Sequence, residues 1–246
     1  MRLLMLGTTG YHPSEDRQTA CLMLPEQGIV LDAGTAMFRI GDHVATDTLD
    51  IYLSHAHLDH VVGLTHLLGV LHGQTMQRVA VHGMPDKLQA VKEHLFAEAI
   101  FPVKPDFDMV PLTEEVELAG GGRLTHFPLT HPGGSRGYRL DWPEHSMAYV
   151  TDTTAAVDSD YIEKVRGVDL LVHECYFPDG YEELAELTGH SCTSAVATLA
   201  RDAEVGQLVL VHMNPAAKED DPVGLDAARA IFPNTQLGVD NTEVTF

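Results

Sequence analysis

The stretch Ser54-His55-Ala56-His57-Leu58-Asp59-His60 decides the interpretation of this chain. Histidines two positions apart in an extended chain point to the same side of the backbone, so His55 and His57 can bind one metal ion together. Asp59 and His60 follow at once and can turn toward a second ion beside the first. Three histidines and an aspartate within six residues predict a two-metal site rather than a loop of solvated histidines.

The residues on either side of this stretch predict where it lies in the fold. The apolar run Leu49–Leu53 before it is typical of a buried strand, and Val61–His72 after it has the apolar spacing of a helix. The candidate ligands therefore follow the end of a strand. If the helix begins near Val61, Asp59 and His60 lie at its entrance.

Four ligands cannot complete two metal sites, and three later positions can supply the rest. His131, Asp152 and His212 each come just after an apolar run, and any one of them alone is more simply interpreted as a structural core residue. Three ligand-type residues at strand ends, following the first cluster, favour metal binding instead. The preceding runs are Leu124–Leu129, Met147–Val150 and Leu208–Val211.

The remaining pattern alternates short strands with helices, which predicts an α/β fold in a single domain over residues 1–246. Two strand-rich halves flanked by helices predict a four-layer αββα sandwich, with the metal site at the edge where strands end in loops. The further predicted strands are Arg2–Leu6, Thr19–Leu24, Gly28–Leu31, Arg78–His82, several between Met109 and Val150, Asp169–His173, Gln207–Val211, Gln236–Val239 and Glu243–Thr245. The further predicted helices are Pro85–Ala97, Asp158–Val165, Ser191–Ala203 and Leu225–Ile231.

The charge balance limits the partners of the chain. Fifteen Lys and Arg stand against 36 Asp and Glu, a formal net charge of −21. Nucleic-acid binding depends on cationic side chains that displace counterions from phosphates, so no extended nucleic-acid footprint is expected. Bound dications would offset part of the negative charge locally, which suits a small anionic substrate.

The cysteines and the apolar runs indicate the compartment. Cys21, Cys175 and Cys192 are odd in number and form no CxxC pair, which predicts buried, reduced thiols and a cytoplasmic protein. No apolar stretch has the length of a secretory signal or of a membrane span, so no membrane association is expected.

The motif from His55 to His60, followed by His131, Asp152 and His212, resembles the motif series of the metallo-β-lactamase superfamily. The resemblance covers nearly the whole chain. The resemblance implies a two-metal hydrolase in which the ions lower the pKa of a shared water and polarise the scissile group. Two zinc ions are the default for this nitrogen-rich ligand set, with manganese or iron as alternatives. The implied ligands are His55, His57 and His131 for one ion, Asp59, His60 and His212 for the other, and Asp152 as the bridge. Asp59 has a second implied task, orienting or deprotonating the water.

The opening of the chain resembles that of ribonuclease Z and related phosphodiesterases, in Leu6-Gly7-Thr8-Thr9-Gly10, Thr19-Ala20-Cys21 and Leu31-Asp32-Ala33-Gly34. The stretch from His131 to Asp152 is also similar to that branch, and two later segments are the most telling. These are Asp169-Leu170-Leu171-Val172-His173-Glu174-Cys175 and Gly189-His190-Ser191-Cys192-Thr193-Ser194-Ala195. By that resemblance His190 protonates the leaving group, and Glu174 orients either His190 or a metal-ligating histidine. Ser191 is interpreted as an ordinary helix N-cap. His173 is interpreted as a structural residue at a strand end.

The chain also departs from ribonuclease Z. That family carries a long basic, glycine-rich arm that grips transfer RNA, and the 20 residues between His131 and Asp152 are too few to hold it. Elsewhere the arginines are scattered, and Arg136 is interpreted as a surface residue or a phosphate contact. The charge and the missing arm weaken precursor-tRNA processing as the function. A homodimer is a further expectation from the resemblance.

Three functional hypotheses remain at this point. The first is a phosphodiesterase that cleaves either RNA 3′ extensions, as an endonuclease, or small or cyclic phosphodiesters. The second is a metallo-hydrolase of thioesters, lactones and other esters, or of β-lactams. The phosphodiesterase-type segment at His190 counts against this hypothesis. The third is a degenerate, non-catalytic scaffold. Degeneration normally deletes ligands, and here every expected ligand position is filled.

Overall fold

The computed structural model describes residues 1–156, 159–217, 219 and 221–246. The chain divides into two compact units, which are described separately. Unit 1 comprises residues 1–113 and 239–245, and unit 2 comprises residues 114–238 with Phe246. The predicted single domain over residues 1–246 stays a prediction.

Each unit is built on one mixed sheet. The strands along the described chain are β1 Arg2–Gly7, β2 Cys21–Leu24, β3 Ile29–Leu31, β4 Thr48–Tyr52, β5 Arg78–Gly83, β6 Asp108–Pro111, β7 Glu115–Leu118, β8 Gly122–Leu129, β9 Ser135–Asp141, β10 Ser146–Val150, β11 Leu170–Glu174, β12 Gln207–Val211, β13 Thr235–Leu237 and β14 Thr242–Thr245. The α-helices along the same described residues are α1 Leu58–Val61, α2 Leu67–Val70, α3 Pro85–Ala90, α4 Ile162–Val165, α5 Glu182–Thr188, α6 Thr193–Asp202 and α7 Leu225–Ile231.

In unit 1 the strand order is β14-β1-β2-β3-β4-β5-β6. The pairs from β3 to β6 are parallel and the others antiparallel. Because parallel strands end at the same edge, the residues after β3 and β4 lie side by side there. These are the loop that begins at Asp32 and the loop that begins at Leu53, which leads to the first candidate ligands.

The predicted helix Val61–His72 is wrong in its start and its continuity. The helical segment begins at Leu58, and a 3-10 stretch over Val62–His66 separates α1 from α2. The break has a packing cause. The Gly63 N–H donates to the carbonyl of Ala33 at 2.8 Å instead of continuing the helical ladder.

Other elements in unit 1 differ more modestly from the sequence predictions. The helix predicted as Pro85–Ala97 is α3 followed by a π-helical turn over Val91–Leu95. A 3-10 helix over Thr35–Asp42 was not predicted. Its buried residues pack onto the same apolar cluster as β4 and β5, so it closes one face of the sheet.

In unit 2 the strand order is β13-β12-β11-β10-β9-β8-β7 within the described residues. The strands from β10 to β13 are parallel, and β9 is antiparallel to both β8 and β10. Strand β8 therefore runs in the same direction as β10, β11 and β12. The four carboxyl ends meet at one edge, which carries His131, Asp152, Glu174 and His212.

The helices of unit 2 agree only in part with the predictions. Helix α7 and strand β12 have the predicted bounds, whereas α6 begins at Thr193 rather than Ser191. Of the helix predicted as Asp158–Val165, the structure has α4, and Asp158 lies outside the described residues. Helix α5 was not predicted. Ala185 is the one residue of this helix that is buried, so its sequence lacks the stripe of core-facing apolar residues that identifies an amphipathic helix.

No helix among the described residues has the length and apolar character needed to cross a membrane. Cys21, Cys175 and Cys192 all fall in described positions and are buried thiols outside any disulfide, which confirms the prediction for them. Burial raises the pKa of Cys192 to about 11, so this thiol stays protonated at neutral pH.

Candidate metal centre

In unit 1 the candidate ligands lie where β4 leads into α1. His55 is buried and His57 is exposed. The ring centroid of His55 lies 4.4 Å from that of His57 and 4.3 Å from that of His60. The structure therefore brings His55 and His57 together, as their spacing predicted, and also places the His60 ring beside His55. Since α1 begins at Leu58, Asp59 and His60 are inside its single turn rather than at its entrance.

A buried carboxylate that the sequence analysis did not assign organises this cluster. Asp32 follows β3 and accepts hydrogen bonds from the Ser54 backbone N–H at 2.7 Å and the Ser54 hydroxyl at 2.8 Å. It also accepts the Nδ1–H of His60 at 2.8 Å. The sequence contained two signals for Asp32: it directly follows an apolar run, and its segment Leu31-Asp32-Ala33-Gly34 belongs to the opening that resembles ribonuclease Z.

These contacts determine which ring nitrogen each histidine can offer as a ligand atom. His60 donates Nδ1–H to Asp32, so its Nε2 carries the lone pair. Ser54 donates its one hydroxyl proton to Asp32, so it accepts from His55 Nδ1 at 3.0 Å. His55 thus also carries its lone pair on Nε2. A carboxylate that holds the second ring nitrogen, as Asp32 does for His60, is a usual outer partner of a metal-ligating histidine.

Asp59 is the remaining candidate ligand in unit 1. Its Oδ2 accepts the Tyr11 backbone N–H at 2.7 Å and lies 3.3 Å from His60 Nε2. Because His60 Nε2 carries a lone pair, two acceptors face each other across this distance. A bound metal ion or a second proton on the His60 ring would satisfy these two atoms. The donor set therefore fits a metal ion.

In unit 2 the candidate ligands cluster around Asp152. The Asp152 carboxylate is buried, with Oδ2 at 3.5 Å from His131 Nε2 and Oδ1 at 3.2 Å from His212 Nε2. His131 donates its Nδ1–H to the carbonyl of Gly189 at 2.8 Å, so its Nε2 lone pair faces the carboxylate. Burial, the largest effect, lowers the pKa of His131 and keeps the ring neutral. A metal ion resolves this contact between acceptors better than a second ring proton.

The backbone holds these ligands in an uncommon conformation. Asp152 has a φ of 41° and His212 a φ of 57°, and Asp32 in unit 1 has a φ of 58°. Aspartate and histidine are among the non-glycine residues that adopt this left-handed region most readily. All three lie within two residues of the end of a strand. Strained backbone of this kind is typical of functional positions.

His190 lies beside these ligands and is held by Glu174. The Nδ1–H of His190 donates to Glu174 Oε1 at 3.0 Å. Glu174 is fully buried and also accepts the backbone N–H groups of Thr153 at 2.8 Å and Ser191 at 3.3 Å. One ligand-type atom from each of Asp152, His190 and His212 lies within 4.8 Å of the others.

The prediction that Ser191 is an ordinary N-cap is wrong. The N-cap of α6 is Cys192, which makes no side-chain capping bond. The Ser191 hydroxyl instead donates to the carbonyl of Thr153 at 2.6 Å and accepts the Ala155 N–H at 2.9 Å. It therefore ties the loop after β10 to the segment before α6. This loop carries Asp152, so Ser191 supports the candidate site through the backbone.

His173, interpreted from the sequence as structural, is buried within β11. Its Nδ1–H donates to the carbonyl of Glu174 at 2.7 Å, and its Nε2 accepts the Tyr161 hydroxyl at 2.8 Å. Burial lowers the pKa of His173, so the ring stays neutral and satisfied. The contacts confirm the structural interpretation.

The Asp32 contacts allow a direct test. Asp32→Asn should lower the affinity for zinc about 10- to 100-fold. The reason is that one uncharged amide oxygen cannot replace the two carboxylate oxygens that accept the Ser54 groups and the His60 Nδ1–H. Competition with a chromophoric chelator measures this affinity. The exposed Asp226→Asn in α7 is the control and should leave it unchanged. Equal affinities for Asp32→Asn and the natural chain would contradict the role of Asp32.

A model of a known protein family matches most of the chain. The family model described as "Beta-lactamase superfamily domain" matches residues 29–213. This range begins at β3 and ends just after His212, so it contains every candidate ligand.

Two curated relatives are ribonucleases by name. Ribonuclease Z of Synechococcus sp. (strain CC9605) is 43% identical over 102 residues, a match that covers 40% of this chain and 31% of that protein. Ribonuclease BN of Citrobacter koseri is 26% identical over 312 aligned positions, which cover 98% of each chain. The stronger identity is thus confined to part of the chain, and the weaker similarity extends over nearly all of it.

Two solved structures share the fold. The metallo-beta-lactamase fold protein YhfI from Bacillus subtilis has a TM-score of 0.84 at 18% identity and covers 99% of both chains. The short form of human tRNase Z has a TM-score of 0.76 at 19% identity, and the match covers 100% of this chain and 99% of the human one. The predicted α/β fold class is confirmed.

Proposed function

Since the chain belongs to the metallo-β-lactamase superfamily of metal-dependent hydrolases, in its ribonuclease Z-like branch, we propose that it is a two-metal phosphodiesterase. The contact that supports the proposal is that of His131 Nε2 with Asp152 Oδ2, two acceptors that a bound cation would satisfy. The substrates proposed are RNA 3′ extensions or small and cyclic phosphodiesters.

The proposed metals are two zinc ions, with manganese or iron as alternatives. When bound, such a pair lowers the pKa of a water and polarises the phosphorus–oxygen bonds of the substrate. The ligand assignment follows the family pattern together with the tautomers deduced within each unit. The proposed ligands are His55, His57 and His131 for one ion, Asp59, His60 and His212 for the other, and Asp152 as the bridge.

The chain's own side chains have three proposed tasks. Asp59, which the Tyr11 N–H holds at 2.7 Å, orients the attacking water and accepts its proton. His190 protonates the oxygen of the leaving group. Glu174 holds the His190 ring through Nδ1, so that Nε2 faces the substrate.

The proposal is tested with bis(p-nitrophenyl) phosphate and protein loaded with zinc or manganese. We expect metal-dependent release of p-nitrophenol that is lost in Asp59→Ala. The exposed His94→Ala should keep full activity. Turnover of thioesters or lactones in place of the phosphodiester would replace the proposal with the ester-hydrolase alternative. Hydrolysis assays with precursor tRNA and with cyclic nucleotides as substrates then distinguish RNA processing from small-molecule hydrolysis.

The names of the relatives favour RNA as a substrate, whereas the charge of −21 favours a small one. Binding to tRNA that falls steeply with salt would support the RNA arm of the proposal. A cytoplasmic location and a homodimer are retained as proposals from the sequence.

We further propose that the two units form one domain that bound metal stabilises. Chelation should then lower the midpoint of a single unfolding transition by about 8–16 °C. The reason is that a ligand at a thousand times its Kd adds roughly 4 kcal/mol, and each kcal/mol shifts Tm by about 2–4 °C at this size. Differential scanning calorimetry measures both quantities. Two separate transitions, one for each unit, would contradict the single domain.

A further inference from the structure

The loop between β1 and β2, residues 8–20, contacts Asp59 at two points. The Tyr11 N–H donates to the Asp59 carboxylate at 2.7 Å, and the Thr19 hydroxyl donates to the Asp59 backbone carbonyl at 2.8 Å. Thr19 is fully buried, and its hydroxyl also accepts the Thr35 N–H at 2.8 Å. The loop therefore locates both the backbone and the carboxylate of the residue proposed to orient the water.

The space around the second contact is filled. A Cβ atom added at Gly34 would collide with the Asp59 carbonyl oxygen and with the Thr19 hydroxyl. Neither atom lies at the far end of a flexible side chain. Because the loop and the Asp59 backbone pack so closely, a displacement of one moves the other.

The first contact depends on an uncommon backbone conformation. Tyr11 has a φ of 60°, in the left-handed region that bulky residues seldom adopt, and the residue is 74% exposed. A side chain so exposed contributes little packing that could hold this conformation. Such conformations persist where the surrounding contacts determine them, so the cause lies in the rest of the loop.

One carboxylate, on the segment between β13 and β14, joins the two ends of the loop. Asp240 Oδ1 accepts the Thr8 N–H at 3.0 Å and the Thr8 hydroxyl at 2.8 Å, and Oδ2 accepts the Gln18 N–H at 2.7 Å. The Asp240 side chain is only 4% exposed. The Thr9 N–H also donates to the Gln18 carbonyl at 3.1 Å. Asp240 thus closes the base of the loop that carries Tyr11.

Two arginines complete this cluster. Arg39 Nη1 donates to Asp240 Oδ2 at 2.6 Å and also to the carbonyl of Leu6, and Arg17 Nη1 donates to the Thr8 hydroxyl at 2.5 Å. Each carboxylate oxygen of Asp240 therefore accepts two hydrogen bonds. An amide of the same size would present its NH2 group to some of these donors, so Asp240→Asn disrupts the cluster with little change in volume.

We propose that Asp240 is a positioning residue that acts on Asp59 through the loop between β1 and β2. The Asp240 carboxylate fixes the base of the loop, and the loop places the Tyr11 N–H on Asp59 Oδ2. This hydrogen bond limits rotation of the Asp59 carboxyl group and so keeps one orientation of it. The inference rests on the proposed function, in which Asp59 binds a metal ion and accepts the proton of the water.

Exchange of the Tyr11 amide proton with water, followed by NMR magnetisation transfer, tests the loop directly. Asp240→Asn should speed this exchange about tenfold, because the hydrogen bond to Asp59 is then lost. Asp50→Asn is the matched control and should leave the exchange unchanged. Asp50 is also a partly buried carboxylate of unit 1, but it accepts hydrogen bonds from Arg78 and His82 on β5. Equal exchange in Asp240→Asn and the natural chain overturns the inference.

A double-mutant cycle on zinc affinity, measured with a chromophoric chelator, shows whether Asp240 acts through Asp59. Asp240→Asn should lower the affinity about tenfold in the natural chain and have no further effect in Asp59→Asn. General destabilisation acts whether or not the Asp59 carboxylate is present. Losses that add in the double variant therefore overturn the inference.

A milder variant covers the case in which Asp240→Asn does not fold. Thr8→Val removes the hydroxyl and keeps the N–H, and faster exchange of the Tyr11 amide in it supports the inference, whereas unchanged exchange overturns it. Thr8→Ser should match the natural chain. The exchange measurement needs neither turnover nor metal. A chain that binds no zinc or hydrolyses no phosphodiester would thus defeat the proposed function, while the Tyr11 amide still decides the role of Asp240.

Discussion

Asp152→Asn is expected to lower phosphodiester hydrolysis roughly 10³-fold, with loss of bound metal. The carboxylate lies between His131 Nε2 at 3.5 Å and His212 Nε2 at 3.2 Å, and an amide cannot supply its charge. A metal ion contributes several kcal/mol to stabilising the transition state, and about 4 kcal/mol corresponds to 10³ in rate. Metal content by mass spectrometry and turnover of bis(p-nitrophenyl) phosphate measure the two effects.

Asparagine is the preferred substitution for a structural reason. The φ of 41° at Asp152 lies in the left-handed region, which asparagine adopts about as readily as aspartate and alanine does not. Asp152→Ala would therefore add backbone strain to the loss of the ligand. Asp226→Asn is the control on the surface. Full metal content together with full activity in Asp152→Asn would exclude Asp152 as a ligand.

His190→Ala is expected to lower kcat about 10²- to 10⁴-fold for substrates with a poor leaving group. The loss should be much smaller for p-nitrophenyl esters, because p-nitrophenolate leaves with little need for a proton. Metal content should stay unchanged. Glu174→Gln should act in the same direction with a smaller loss, since Glu174 reaches the substrate only through the His190 ring at 3.0 Å.

The pattern across leaving groups is the decisive part of this experiment. A loss of equal size for both kinds of ester would contradict proton donation by His190. Loss of metal in His190→Ala would instead make it a ligand, as its 4.8 Å grouping with Asp152 and His212 permits. His94→Ala serves as the control for removal of an exposed histidine.

The sequence predicted those parts of the site that depend on local chemistry. The pairing of His55 with His57 needed only the geometry of an extended chain, and the structure places their ring centroids 4.4 Å apart. The strand ends before Asp152 and His212 were predicted because apolar runs bounded by polar residues are strong signals. The roles of these residues as ligands stay predictions.

The missed features depend on contacts between distant parts of the chain. Asp32 binds His60 across 28 positions, and Ser191 reaches the carbonyl of Thr153 across 38. The break in the helix after α1 follows from the contact of Gly63 with Ala33. No local propensity encodes such pairings, because they exist only once β3, β4 and the loop after β10 are in place.

The central claim is that two metal ions on this chain perform phosphodiester hydrolysis. The most direct measurement is a titration of metal-free protein with zinc while turnover of bis(p-nitrophenyl) phosphate is followed. The account predicts no turnover without metal and a plateau at two equivalents per chain. A protein that binds two equivalents and shows no turnover, or one that is fully active without metal, would contradict the account.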